Sequence, residues 1–169
     1  MARNIEIKAR VADPVALRER AAALAAAGPV EIAQDDTFFN CPAGRLKLRA
    51  FSGTRGELIF YRRSDERGPK ESYYFRTPTN EPDTLRQTLA LAYGEAGRVR
   101  KRRTLFLVGR TRVHLDDVDG LGHFMELEVV LSEGESAERG VREAEELMRR
   151  LGVETSQLID RAYVDLLAE

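Results

Sequence analysis

Short segments that alternate charged and apolar residues recur along this chain, and they constrain its fold more than any other feature. In Ile5-Glu6-Ile7-Lys8-Ala9-Arg10-Val11 the charged side chains fall on one side and the apolar ones on the other, because successive strand side chains point to opposite faces. The same alternation sets Arg45, Lys47 and Arg49 against Leu46, Leu48 and Ala50. It returns at Lys101 and Arg103, at Arg112, His114 and Asp116, and at Glu126 and Glu128. A basic surface with a few carboxylates set into it suits a polyphosphate carrying a divalent metal. Taken one strand at a time, the same residues also read as ordinary solvated outer faces of antiparallel strands.

The pattern predicts strands near residues 3–11, 31–40, 44–51, 57–63, 71–77, 98–108, 110–117 and 123–131. A first helix opens at Asp13-Pro14, with Asp as cap and Pro at the first helical position, and stops at Gly28-Pro29. A second runs from about Pro82 to Tyr93 and ends at Gly94. A third, near residues 136–151, places Val141, Ala144, Met148 and Leu151 at helical spacing before Gly152. The stretch 156–167 reads as a further helix. Eight strands joined mostly by hairpin turns favour an α+β fold, an eight-stranded antiparallel β-barrel with flanking helices. If the apolar faces pack outward beneath those helices, the charged faces line the interior.

A chain of 169 residues with 43% hydrophobic content is expected to form one domain spanning residues 1–169, with a substantial core. No apolar run approaches the length of a membrane span, and the amino terminus enters a strand at once, so a soluble, cytoplasmic protein without a membrane partner is expected. Cys41 is the single cysteine and cannot form an internal disulfide, in keeping with a reducing compartment. The net charge is only −1, which argues against a general polyanion binder. The inferred polar faces nevertheless carry about +11 from Lys8, Arg10, Arg45, Lys47, Arg49, Arg63, Arg76, Lys101, Arg103, Arg110 and Arg112, against about −5. Only four of the 27 basic residues are lysines, and Lys8, Lys47 and Lys101 fall on these faces. Nucleic acid is not an expected partner despite the basic run 98–103, because acids on the same wall would repel a phosphate backbone.

Several pieces carry a resemblance: Asn4-Ile5-Glu6-Ile7-Lys8, Gly44-Arg45-Leu46-Lys47-Leu48-Arg49, Tyr61-Arg62-Arg63, Arg100-Lys101-Arg102-Arg103, Val113-His114-Leu115-Asp116 with Gly120-Leu121-Gly122, Glu126-Leu127-Glu128, and Tyr163-Val164-Asp165-Leu166-Leu167. In order and spacing they resemble the CYTH group of triphosphate tunnel metalloenzymes, which includes class IV adenylyl cyclases and thiamine triphosphatases. The resemblance implies a tunnel that binds a triphosphate with Mg2+ or Mn2+. It implies that Lys8, Arg10, Lys47, Arg49, Arg63, Lys101, Arg103 and Arg112 hold phosphate oxygens, with Lys8, Lys101 and Arg103 also acting in catalysis. Glu6, Asp116, Glu126 and Glu128 are the implied metal ligands, hard oxygen donors of the kind these ions take. Asn4 stands where the family has the first acid of its Glu-x-Glu-x-Lys strand. Three activities stay open: cyclisation of ATP to cyclic AMP and pyrophosphate, which leads; hydrolysis of thiamine triphosphate, tripolyphosphate or a nucleoside triphosphate; and binding without catalysis. A homodimer is left open. His114 reads as a tunnel-wall hydrogen bonder rather than a zinc ligand, and Tyr61, Tyr73 and Tyr74 as packing residues.

Overall fold

A computed structural model describes residues 2–169. Strand β1 (Ala2–Arg10) leads into helix α1 (Pro14–Leu24), which opens where Asp13 Oδ1 accepts a hydrogen bond from the Ala16 amide at 3.1 Å. Four strands follow in a meander: β2 (Ala27–Phe39), β3 (Arg45–Ser52), β4 (Arg55–Arg63) and β5 (Lys70–Thr79). After helix α2 (Pro82–Tyr93) a second meander comprises β6 (Glu95–Val108), β7 (Thr111–Val118) and β8 (Gly122–Val130). Helix α3 (Ala137–Arg150), a 3-10 turn at Thr155–Gln157 and helix α4 (Tyr163–Leu167) complete the chain.

The strands close into an antiparallel barrel in the order β1-β5-β4-β3-β2-β6-β7-β8. Strand β1 therefore seals the seam between the two meanders, pairing Glu6 with Lys70 on one side and with Glu128 on the other. The main apolar core lies outside this barrel. Ile5, Ile7, Ala9, Val113, Met125, Leu127 and Val129 point outward and pack against Leu17 and Ala21 of α1 and against Ala144, Leu147 and Met148 of α3. Gly140 permits the approach of α3, since a Cβ there would lie 2.7 Å from both Ile5 and Leu131 side chains. Burying the outward faces beneath helices leaves the alternate residues of the same strands inside.

Two expectations from the sequence are corrected. The first helix ends at Leu24, and Gly28-Pro29 lies in β2, which begins at Ala27 because Ala26 N already donates to Leu107 O at 2.9 Å. The stretch 156–167 is not one helix. Leu158 bridges Ala9 and the Ile159 amide donates to Lys8 O at 3.0 Å, so these residues extend along the end of β1 before α4 starts.

Candidate active site

The barrel encloses a cavity of about 220 Å³ whose wall carries eight cations, Lys8, Lys47, Arg49, Arg63, Arg76, Lys101, Arg103 and Arg112, and four carboxylates, Glu6, Asp36, Glu126 and Glu128. Its two ends differ. At one, Phe38, Val99, Phe124, Ala162 and Tyr163 form a buried apolar cluster across which α4 lies. At the other, Ile32, Tyr74, Leu105 and Arg112 are part-exposed and Arg76 is exposed. The cavity thus has a floor and a mouth.

Neutralisation inside the wall is shared out by geometry. Asp36, 1% exposed, accepts from Lys47 Nζ at 2.9 Å, from Arg49 Nε and Nη2 at 2.8 Å each, and from Lys101 Nζ at 3.4 Å. Burial alone would raise its pKa, but Arg49, Lys101 and Lys47 together hold it well below the usual carboxylate range. The lysines go the other way: burial brings Lys101 down to about 7 despite Asp36, and burial with the Arg49 charge brings Lys47 to about 8. Buried ammonium groups this crowded are short of counter-charge.

Across the cavity, Glu126 lies 3.2 Å from Lys8 Nζ and 3.3 Å from Arg103 Nη2. Glu128 accepts from Arg112 Nη2 at 2.7 Å and from Asn4 Nδ2 at 3.2 Å, and its other oxygen lies 3.1 Å from His114 Nε2. Glu6 has a single looser cation, Arg63 at 3.7 Å. Burial and the nearby charge of Glu128 push its pKa up to about 6. Glu6, Glu126 and Glu128 therefore form a group of acids close enough to repel one another. The amide of Asn4 sits beside them, with its Oδ1 buried and unpartnered.

Lys8, Lys47, Arg49, Arg63, Lys101, Arg103, Arg112, Glu6, Glu126 and Glu128 are thus brought to one cavity. Two other residues expected at the site stand apart. Arg10, the last residue of β1, is exposed at the end of the barrel, with its guanidinium 5.2 Å from the Phe124 ring centroid. Asp116 is on the inward face at the floor end but does not line the cavity: its oxygens accept from Arg103 Nε and Nη2 at 2.7 Å each and from the Tyr163 hydroxyl at 2.8 Å, so it orients Arg103 from beneath. Arg45 pairs with Asp165 at the floor, and Arg110 is clasped by Glu135 and Glu143 outside the barrel. Sequence reasoning missed Asp36 and Tyr163. Alternation through Gln34, Asp36 and Phe38 places that acid inside, but the neighbouring Asp35 obscures the period. Tyr163 carries no periodic signal; its ring lies 3.9 Å from Lys8 Nζ and 5.5 Å from Lys101 Nζ.

A closed antiparallel barrel with a buried, predominantly cationic interior and inward carboxylates defines a tunnel-type anion site. Residues 2–163 match the CYTH domain, and the chain belongs to that family. It is 25% identical over 173 residues to adenylate cyclase CyaB of Aeromonas hydrophila, covering 95% of this chain and 86% of that protein. A 76-residue stretch is 29% identical to a Methanocaldococcus jannaschii protein described as a candidate adenylate cyclase, spanning 45% of this chain and only 43% of that relative. Among solved structures, the PH1012 protein of Pyrococcus horikoshii OT3 superposes with a TM-score of 0.86 at 23% identity, over 96% of this chain and 98% of that one. HpAC1 from Hippeastrum, an adenylyl cyclase candidate described as revealing a dominant triphosphatase activity, superposes with a TM-score of 0.66 at 17% identity, over 98% of this chain and 94% of that one.

Proposed function

We propose that this protein is a metal-dependent enzyme acting on a triphosphate inside the barrel, with conversion of ATP to cyclic AMP and pyrophosphate as the leading reaction. The observation that carries this reading is the excess of cations over carboxylates on the wall of the cavity. Arginines provide planar forks and lysines point charges, and a polyphosphate uses both. Lys47, Arg49, Arg63 and Arg112 hold phosphate oxygens. Lys8, Lys101 and Arg103 neutralise charge that develops at the reacting phosphorus, the usual source of rate in phosphoryl chemistry. Attack of the ribose 3′-oxygen on the α-phosphorus forms one P–O bond and breaks the bond to the bridging oxygen; pyrophosphate departs, and the hydroxyl proton passes to solvent.

Magnesium or manganese suits the oxygen-rich group Glu6, Glu126 and Glu128, where burial and then the charges of Glu128 and Glu126 raise the pKa of Glu6. Among the described residues no three such side chains are already gathered at ligating positions. A phosphate chain that engages Arg103, Lys8 and Arg112 would compete for the cations now paired with Glu126 and Glu128. When bound, the ion would supply Lewis-acid polarisation of phosphate oxygens. Hydrolysis of a triphosphate is the second reading, since the same wall serves an attacking water.

A product-resolved assay tests both, with ATP, thiamine triphosphate and tripolyphosphate at graded Mg2+ and Mn2+. Glu126→Gln is expected to lower metal-dependent turnover by about 10²-fold, and Lys8→Ala to lower turnover and affinity together. Two folded variants that keep wild-type turnover across the metal titration would defeat the assignment. Tight triphosphate binding without cleavage of any substrate would make the protein a binding module.

A further inference from the structure

Lys70 is the fourth lysine of the chain, and its placement parallels that of the other three. On β5, Ser72, Tyr74 and Arg76 line the cavity, and strand alternation puts Lys70 on their side. It pairs across the ladder with Glu6 and is 4% exposed. Burial, then the Arg63 and Lys8 charges, push its pKa down to about 8, which places its ammonium within their field. Yet Lys70 does not line the cavity. Its Nζ donates to the backbone carbonyl of Glu66 at 2.7 Å, in the loop between β4 and β5. A neutral carbonyl compensates a buried ammonium less well than an anionic oxygen does, the more so beside two other cations. The same loop makes a second tether, Arg67 Nε to Asp160 Oδ2 at 3.7 Å, to the stretch that precedes α4.

We propose that Lys70 is a further phosphate-binding residue, held on Glu66 in this structure, and that a phosphate chain bound beside Arg63 and Lys8 takes over its ammonium and releases the loop 64–69. The inference rests on the triphosphate reading and assigns that cavity an additional contact. It also makes the loop a reporter of occupancy: the anionic oxygen replaces the Glu66 carbonyl as acceptor, and the loop loses one of its two tethers.

The test pairs calorimetry with hydrogen exchange, using tripolyphosphate as the probe with and without Mg2+. Lys70→Met is expected to bind tripolyphosphate about tenfold more weakly, the scale of one charge-assisted hydrogen bond, and Lys70→Arg to keep most of the affinity. In the wild type, tripolyphosphate should speed amide exchange across residues 64–69. In Lys70→Met that exchange should be fast already and indifferent to the probe. Wild-type affinity in Lys70→Met, or loop exchange in the wild type that tripolyphosphate leaves unchanged or slows, overturns the proposal. If Lys70→Met does not fold, the wild-type exchange decides alone. Lys8→Ala separates the two readings: a wild type that binds the probe, a Lys8→Ala variant that does not and an unaffected Lys70→Met together overturn the role of Lys70 and leave the cavity intact. A wild type that binds no tripolyphosphate overturns both.

Discussion

Asp36 faces Lys47, Arg49 and Lys101 with a single carboxylate and is the counter-charge on which that side of the wall depends. Removing one partner of a buried charge network leaves the others desolvated without compensation, a loss of about 3–5 kcal/mol. Asp36→Asn is therefore expected to lower unfolding free energy by about 3 kcal/mol in urea titration, and tripolyphosphate should restore more stability to the variant than it adds to the wild type. A variant as stable as the wild type would show that water, not Asp36, screens these cations. At this scale much of the wall was legible, because a strand exposes its period in the residues themselves: Glu6 and Lys8, Lys47 and Arg49, Glu126 and Glu128 each announce a shared face. The period does not say where a strand leaves the barrel. Arg10 has the right parity but is the exposed last residue of β1, and Asp116 has the right parity but is engaged by Arg103 and Tyr163 at the floor.

Among the elements, α4 has the least local warrant and a large positional effect. It is five residues long, far below the length at which a helix holds itself together in water, and it forms because Tyr163, Val164 and Leu166 pack with Phe38, Val99, Val118 and Phe124. Such a segment cannot be read from propensity, which is why 156–167 looked like one continuous helix while residues 158 and 159 in fact extend along β1. Helix α3, by contrast, announced itself by periodic apolar residues, and both α2 and α3 by the glycines, Gly94 and Gly152, after their ends. Tyr163→Phe removes one donor from the Asp116 carboxylate but leaves the Arg103 fork, so a loss of about 1.5–3 kcal/mol is expected. Tyr163→Ala also empties the ring site between Lys8 and Lys101 and should cost about 3–5 kcal/mol. Thermal denaturation of the pair, with tripolyphosphate calorimetry alongside, checks both: Tyr163→Phe should bind within about twofold of wild type, because the bond lost is to Asp116 and not to a residue that lines the cavity, and Tyr163→Ala far more weakly. Equal stabilities would mean that the ring does not seal the floor.

The molecule as a whole inverts the usual arrangement, with apolar packing around the barrel and ionised groups within it. That inversion should be visible in its response to pH. The folded protein releases protons from Lys101 near 7 and from Lys47 near 8, whereas the unfolded chain keeps them to about 10.5. Between those values the unfolded state binds more protons, so these two groups make stability rise with pH from about 7 towards 10.5. Tyr61, pushed up to about 12 from 10 by burial, acts in the opposite sense above pH 10. Melting temperature is therefore expected to climb between about pH 7 and 9.5, and Lys101→Met to flatten the lower part of the climb. A wild-type profile that falls over this interval would contradict the burial of these lysines. The difference between the two ends has a consequence of its own for traffic. With the apolar cluster of α4 across one end, fragments of a cleaved molecule are expected to leave past Arg76, the piece nearer that mouth first and the piece against Tyr163 after it.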